Sequence, residues 1–252
     1  EELFPADTEE RRVIARRIVA DRCLFGVDKN PLAVEMAKLA IWLDTLRKDR
    51  AFNYLDHALR PGDSLLGITD LEQLRWLHLD PAERKGKAGF AILALDQRLK
   101  DATDLAHRLQ ELSVVTVRDA TEKKRLHDGL RARLADLSIV ADAIVGAALT
   151  TAGRSSTAME HSLDTQLERI RTVLDDDRSD AERAAALGVL SGVTTAWLRS
   201  DLPAGIPVPW ERQCLHWPLA FPEVFLEAGR SGFDAMVANP PFLGGKRISG
   251  AN

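Results

Sequence analysis

"CLFGVDKNPLAVEMAKLAIWL", residues 23–43, decides how this chain folds on paper. Its first six residues are mostly apolar and end on an acid, Asp28, which is the look of a buried parallel strand. Asn30 and Pro31 then supply an N-cap and a first helical residue. The next helix, 32–43, sets Val34, Ala37 and Ile41 on a broad buried face. Upstream, "TEERRVIARRIVA" (8–20) predicts a helix that Thr8 can cap, with Val13, Ile14, Ile18 and Val19 as its apolar side. Helix, strand, helix over 8–44 predicts a doubly wound α/β sheet.

Working outward, "NYLDHALRPGDSLLG" (53–67) holds a second short segment that ends in a turn, with Gly62 in the turn and Asp63 beyond the strand's end. "RKGKAG" (84–89) is a basic connection that does not match the phosphate-binding GxxxxGK[ST] pattern. From 90 to about 200 the period is helical. Leu95, Leu99, Ala102, Ala106, Leu109 and Leu112 form one seam, Leu130, Leu134, Leu137, Ala141, Ile144 and Ala148 a second, and Leu163, Leu167, Ile170 and Leu174 a third. "RSSTA" (154–158) breaks the pattern, and Ser179 with Glu182 three residues on starts a further helix. About four helices are expected here, as a bundle or long hairpin inserted in the α/β domain. Its expected role is a structural spacer rather than an arm that contacts DNA or a partner. "DLPAGIPVPWER" (201–212) reads as a proline-rich linker, and Phe233–Ala238 in "GFDAMVANPPF" as a buried strand. The expected division is thus 1–80, 81–200 and 201–252.

Bulk properties narrow the class. With 45% hydrophobic and 29% charged residues in 252, the composition is that of a globular protein. Cys23 and Cys214 are the two cysteines, too few for a disulfide framework or a metal site of their own, so a reducing, cytoplasmic setting is expected and no metal. The sequence shows no signal peptide and no apolar run long enough for a bilayer, so no membrane partner is expected. At a net charge of −4, attraction to nucleic acid must rest on a local patch. The chain starts at Glu1 and stops in loop-like "GGKRISGAN", which reads as a slice of a longer protein.

The strand ending at Ala238 runs into Asn239, Pro240, Pro241 and Phe242. Prolines cannot donate to a ladder, so they end the strand and stiffen the chain just beyond it, where ligands of parallel sheets bind. The Asn239 amide oxygen and the Pro240 carbonyl are two acceptors, and Phe242 is a flat apolar face. Together they suit a planar ring that carries an exocyclic NH2 group.

"NPPF" resembles the catalytic motif of S-adenosylmethionine-dependent amino-methyltransferases, in its adenine-N6 form. "FGVDKNPLAVEMAKLAIWL" (25–43) is similar to the second motif of large adenine-specific DNA methyltransferases of restriction-modification and phage-defence systems, including type IIG, BREX- and DISARM-type enzymes. "LRPGDSLLG" (59–67) resembles their third motif, and "HWPLAFPEVF" (216–225) is a block associated with the group. The resemblance implies a Rossmann-like methyltransferase sheet, incomplete here, with a large helical insertion. It also implies S-adenosylmethionine as cofactor and double-stranded DNA with a flipped adenine as partner. Asp28 would accept from the cofactor's ribose hydroxyls and Asp63 from its adenine amine, while Lys29, Asn30 and Pro31 would line the adenosine pocket. Capping alone also explains Asn30 and Pro31, and an ordinary turn acid explains Asp28 or Asp63. His216 and Trp217 read as core or supporting residues, and Gly244 and Gly245 as letting the loop after Phe242 close over the target, though plain loop flexibility explains them equally well.

The family's glycine-rich first motif and target-recognition domain are expected outside this stretch. The strand of that first motif would lie between those ending at Asp28 and Asn239, so this stretch alone is expected to fold poorly or pair differently, and to be inactive. Two rivals remain open. One is a methyltransferase for RNA guanine-N2 or release-factor glutamine; the other is a non-catalytic helical interaction module.

Overall fold

A computed structural model describes residues 7–46, 54–84, 89–154, 156–200, 202, 212–226 and 232–239. Helix α1 (Thr8–Arg22) is capped one residue earlier than the sequence suggests: the Asp7 carboxylate accepts from Glu10 N. Strand β1 (Gly26–Asp28) comes next, then helix α2 (Pro31–Asp44) and strand β2 (Leu59–Pro61). The strands pair in parallel, Gly26 opposite Leu59 and Asp28 opposite Pro61, with α2 as the crossover. Asn30 caps α2 through Leu32 N at 3.0 Å, and Pro31 opens it, as the sequence indicates.

Alternation along β2 separates two faces. Leu59 joins Val34 and Leu55 on the α2 side, with Ile41 and Trp42 packed against them. Arg60 and its partner Val27 face the other way, toward Phe221. The apolar sides read from sequence are only partly buried. Ala37, Ile18 and Val19 are exposed, and so are Leu32, Met36, Leu39 and Leu43 along the far side of α2.

Most of the molecule is helical. After short helices α3 (Leu71–Arg75) and α4 (Pro81–Arg84) come α5 (Gly89–Glu111), α6 (Val117–Thr150), α7 (Ser156–Asp164), α8 (Leu167–Leu174) and α9 (Asp180–Arg199). The 34-residue α6 is the axis, and α5, α7 and α9 pack on it. The seams meet as their spacing requires: Leu95, Leu99, Ala102 and Ala106 of α5 bury against Leu130, Leu134, Leu137 and Ile144 of α6, with Leu163, Ile170 and Leu190 closing the core. Two capping boxes start α6 and α9, at Thr116 with Asp119 and at Ser179 with Glu182. The third seam is two helices rather than one. Thr165 Oγ1 donates to Ser162 O and Gln166 Nε2 to Thr165 Oγ1, local bonds that compete with a continuous helix.

The Rossmann-like sheet with a helical insertion is not what forms. The described residues hold one sheet of two strands, and helices dominate. Phe233–Ala238, expected as a buried strand, is irregular, and Asp234–Asn239 are exposed, Val237 fully. A buried parallel strand needs neighbours to take its N–H and C=O groups. Among the described residues no strand pairs with this segment, whereas the helices satisfy their own backbone and share one large core. Ile68, Leu74, Leu77 and Leu219 join that core, so the β-α-β unit sits on a helical body.

The chain returns to the unit after α9. Asp63 N donates to Gln213 O, Leu215 N to Leu66 O and Trp217 N to Ile68 O, laying residues 213–217 along 63–68. Gly67 is required there, because a Cβ on it would fall 2.0 Å from Leu215 O. Two short helices complete this part, α10 (Trp217–Ala220) and α11 (Pro222–Phe225).

Candidate functional site

The carboxyl edge of the strand pair gathers four of the expected residues. Asp28 ends β1, and Asp63 follows β2 by two residues. Gly62 N donates to Asp28 O at 3.0 Å, which sets the two turns side by side. Asp28 Oδ1 accepts from Asn30 N at 2.7 Å, and Asp28 Oδ2 makes no hydrogen bond among the described residues. Both Asp63 oxygens are engaged: Oδ1 accepts from Leu65 N at 3.1 Å and Oδ2 meets Lys29 Nζ at 3.1 Å. One open carboxylate at a rim suits a diol, which donates two hydrogen bonds. Asp63 is available to a ligand amine only once Lys29 releases it.

Asn239 is not brought into this set. It lies exposed at the end of the irregular segment, and no hydrogen bond joins it to Asp28 or Asp63. Pro240, Pro241 and Phe242, with Gly244 and Gly245, lie outside the described residues. What is fixed is the root of the segment. Phe233 packs on Phe25, Trp217, Phe221 and Phe225, with ring centroids 5.4–5.8 Å apart. Phe25 lies three residues before Asp28, and six residues of chain span at most about 20 Å. Asn239 is therefore tethered near β1.

His216 is structural, as the sequence suggests. Its Nδ1 accepts from Ile68 N at 3.3 Å, so Nε2 carries the proton and donates to Asp142 on α6 at 3.1 Å. Trp217 donates from Nε1 to Ser64 O at 3.1 Å, fixing the turn that carries Asp63.

No family model, curated protein or solved structure matches this chain.

A second site was missed in the sequence. A cleft of about 810 Å3 opens between β2 and α6, with Arg60, Tyr54, His127 and Arg131 in its lining. Arg60 donates from Nη2 to His127 Nε2 at 3.1 Å and from Nε to His57 O at 3.3 Å, with its guanidinium 5.7 Å from the Phe221 ring centre. Because arginine only donates, His127 Nε2 must accept, so His127 Nδ1–H donates to Tyr54 Oη at 2.7 Å. Burial, with Arg60 nearby, pushes His127 down to about 4. Burial, with Lys123 nearby, pushes His57 to about 3. Beside them Glu223 is 4% exposed, and desolvation raises it to about 7 against the pull of Arg60 and Lys123. Its signal was scattered over "NYLDHALR" and "KKRLHDGLR", polar letters on otherwise apolar faces 67 residues apart.

Among the described residues no group of three metal-ligating side chains is placed to hold an ion, and no helix is long and apolar enough to cross a membrane.

Proposed function

We propose that this chain is the cofactor- and target-bearing part of an adenine-N6 DNA methyltransferase of the restriction-modification or phage-defence kind, acting in the cytoplasm. The observation that carries the proposal is the meeting of Asp28 and Asp63 at one edge of a parallel strand pair, with Lys29 between them. Support also comes from the packing of the "HWPLAFPEVF" block onto the Asp63 turn, which joins three separated motifs around one rim.

In this reading S-adenosylmethionine supplies an electrophilic methyl group. Asp28 holds the ribose hydroxyls through its open oxygen. Asp63, released by Lys29, accepts from the adenine amine. Asn239 Oδ1 and the Pro240 carbonyl accept from the target N6 amine and favour its pyramidal form. They therefore stabilise the transition state more than the flat ground state. The base must leave the duplex, and Phe242 replaces part of its stacking, worth roughly 1–3 kcal/mol.

The test is methyl transfer by the intact protein from labelled cofactor to duplex DNA, with RNA and protein as rival acceptors. N6-methyladenine is expected in DNA alone. Asn239→Ala removes transfer and leaves cofactor binding nearly intact; wild-type turnover by that variant overturns the proposal.

The dominance of the helical body favours a second reading, a non-catalytic helical interaction module. Cofactor binding separates the two: Asp28→Ala weakens it in an enzyme, whereas a module binds no cofactor before or after the change.

A further inference from the structure

The cleft between β2 and α6 takes in Pro61 and Cys214, which pair with the rim residues Asp28 and Asp63, but is lined by none of Asp28, Asp63 or Asn239. Arg60 at its floor has five N–H donors, of which two are engaged; the others have no acceptor among the described residues. It also lacks an ion-pair partner there. The carboxylates that line the cleft are held elsewhere: Glu35 and Asp56 by Lys38 Nζ at 2.6 and 2.5 Å, Asp128 by Lys124 at 2.8 Å, and Asp142 by His216 at 3.1 Å. The side chains of Glu35, Asp56 and Asp128 are 64, 47 and 55% exposed, so water screens them. Glu223 acts on Arg60 from a distance, within no ion-pair contact, and its burial favours the neutral carboxyl.

Two further donors face the same space. With His127 Nδ1–H directed at Tyr54 Oη, the phenol hydrogen is free to donate. Arg131 on α6 is exposed, lines the cleft and makes no ion pair among the described residues. Desolvation makes the half-buried Arg60 guanidinium harder to keep charged, against the more distant pull of Glu223 and Asp56, as expected of a cation with no carboxylate in direct contact among the described residues.

We propose that this cleft is a phosphate-binding site, in which Arg60 from β2, Arg131 from α6 and the Tyr54 hydroxyl share the oxygens of one phosphoryl group. A phosphoryl group fits better than a carboxylate because the three donors stand on three separate segments. A tetrahedral anion accepts from several directions, whereas a carboxylate accepts within one plane. The cleft volume, about 810 Å3, leaves room for a nucleoside or a backbone segment attached to that group.

Inorganic phosphate is the probe, titrated against wild type and variants and followed by calorimetry and by thermal melting, which a bound ligand raises. Saturable binding is expected, weakened about tenfold by Tyr54→Phe and by Arg131→Gln, and lost in Arg60→Gln. Arg60 also bridges His57 and His127, so its variant can fail to fold; the other two keep the test decisive. Absence of saturable binding to wild type overturns the site. So does wild-type binding by both Tyr54→Phe and Arg131→Gln, or equal stabilisation by acetate. Competition then identifies the source: an oligonucleotide without terminal phosphates points to a nucleic-acid backbone, thymidine monophosphate to a nucleotide, and neither to the free ion.

Discussion

Lys29 Nζ lies 3.1 Å from Asp63 Oδ2, so an ion pair ties the turn after β1 to the turn after β2 at the edge where both acids gather. Both side chains reach solvent, which limits what the pair contributes to stability. A double-mutant cycle with Lys29→Ala and Asp63→Ala, read by urea unfolding, should give a coupling below roughly 1 kcal/mol that fades with salt. A coupling of several kcal/mol would mean that the two turns are held by more than this exposed pair.

The pair between Lys123 Nζ and Asp21 Oδ1, 2.7 Å, is of the opposite kind, since Lys123 is fully buried. It joins α6 to α1. Lys123→Met leaves the Asp21 charge with little water and should cost about 3–5 kcal/mol. Changing both residues to apolar ones should recover much of that loss. If the double variant is as unstable as the single one, the geometry of the pair itself matters more than its uncompensated charge.

The polar cluster behind Phe221 sets a pH dependence. His57 and His127 fall from an ordinary 6.5 to about 3 and about 4, so the unfolded chain takes up their protons first. Their contribution is complete above 6.5 and is lost as pH falls toward the folded values. Glu223 rises from 4.5 to about 7, so its neutral form favours folding below 4.5 and that advantage is lost as pH rises toward 7. Two protons oppose one between 4.5 and 6.5, and below 4.5 nothing opposes the histidines. Urea midpoints should therefore fall with acid, most steeply just below 4.5, and the slope should ease below about 4 as folded His127 takes up its own proton. Glu223→Gln should gain stability over wild type at about pH 8 and lose that gain at about pH 4. Equal profiles for both proteins would place Glu223 in contact with water.

Local chemistry was legible; its partners were not. The Asn30 cap, Pro31, the Asp28 turn and the Ser179 capping box were written within a few residues and formed as read. The leucine seams showed which helix faces are buried, because a period of three and four residues fixes a face. A seam does not name what covers it, and an apolar run does not name its neighbours in a sheet. That is why Phe233–Ala238 read as a strand although no strand among the described residues pairs with it. The same non-locality hid Arg60 against His127, and residues 213–217 along 63–68.

Gly67 is where that second pairing is most exposed to mutation. A Cβ there would meet Leu215 O at 2.0 Å and Leu215 C at 2.6 Å, both backbone atoms that cannot rotate away. Gly67→Ala should part residues 213–217 from 63–68 and release Trp217 from Ser64 O. Faster amide exchange at Leu215 and Trp217, with the α6 core still protected, is the expected reading. Unchanged exchange at both amides would disprove the pairing.

Ile144 and Val237 test the helical reading against the sheet it replaces. Ile144 is fully buried between α6 and its neighbours, while Val237 is fully exposed in the segment expected as a strand. Ile144→Ala removes packed methylenes and leaves a cavity, so it should cost about 2–5 kcal/mol. Val237→Ala removes atoms already in water and should change stability by less than about 0.5 kcal/mol. In a Rossmann-like sheet Val237 would be an interior strand residue, and its truncation would cost well over about 1 kcal/mol through lost burial. Chemical unfolding of the two variants side by side decides the matter, and a large loss for Val237→Ala would restore the sheet.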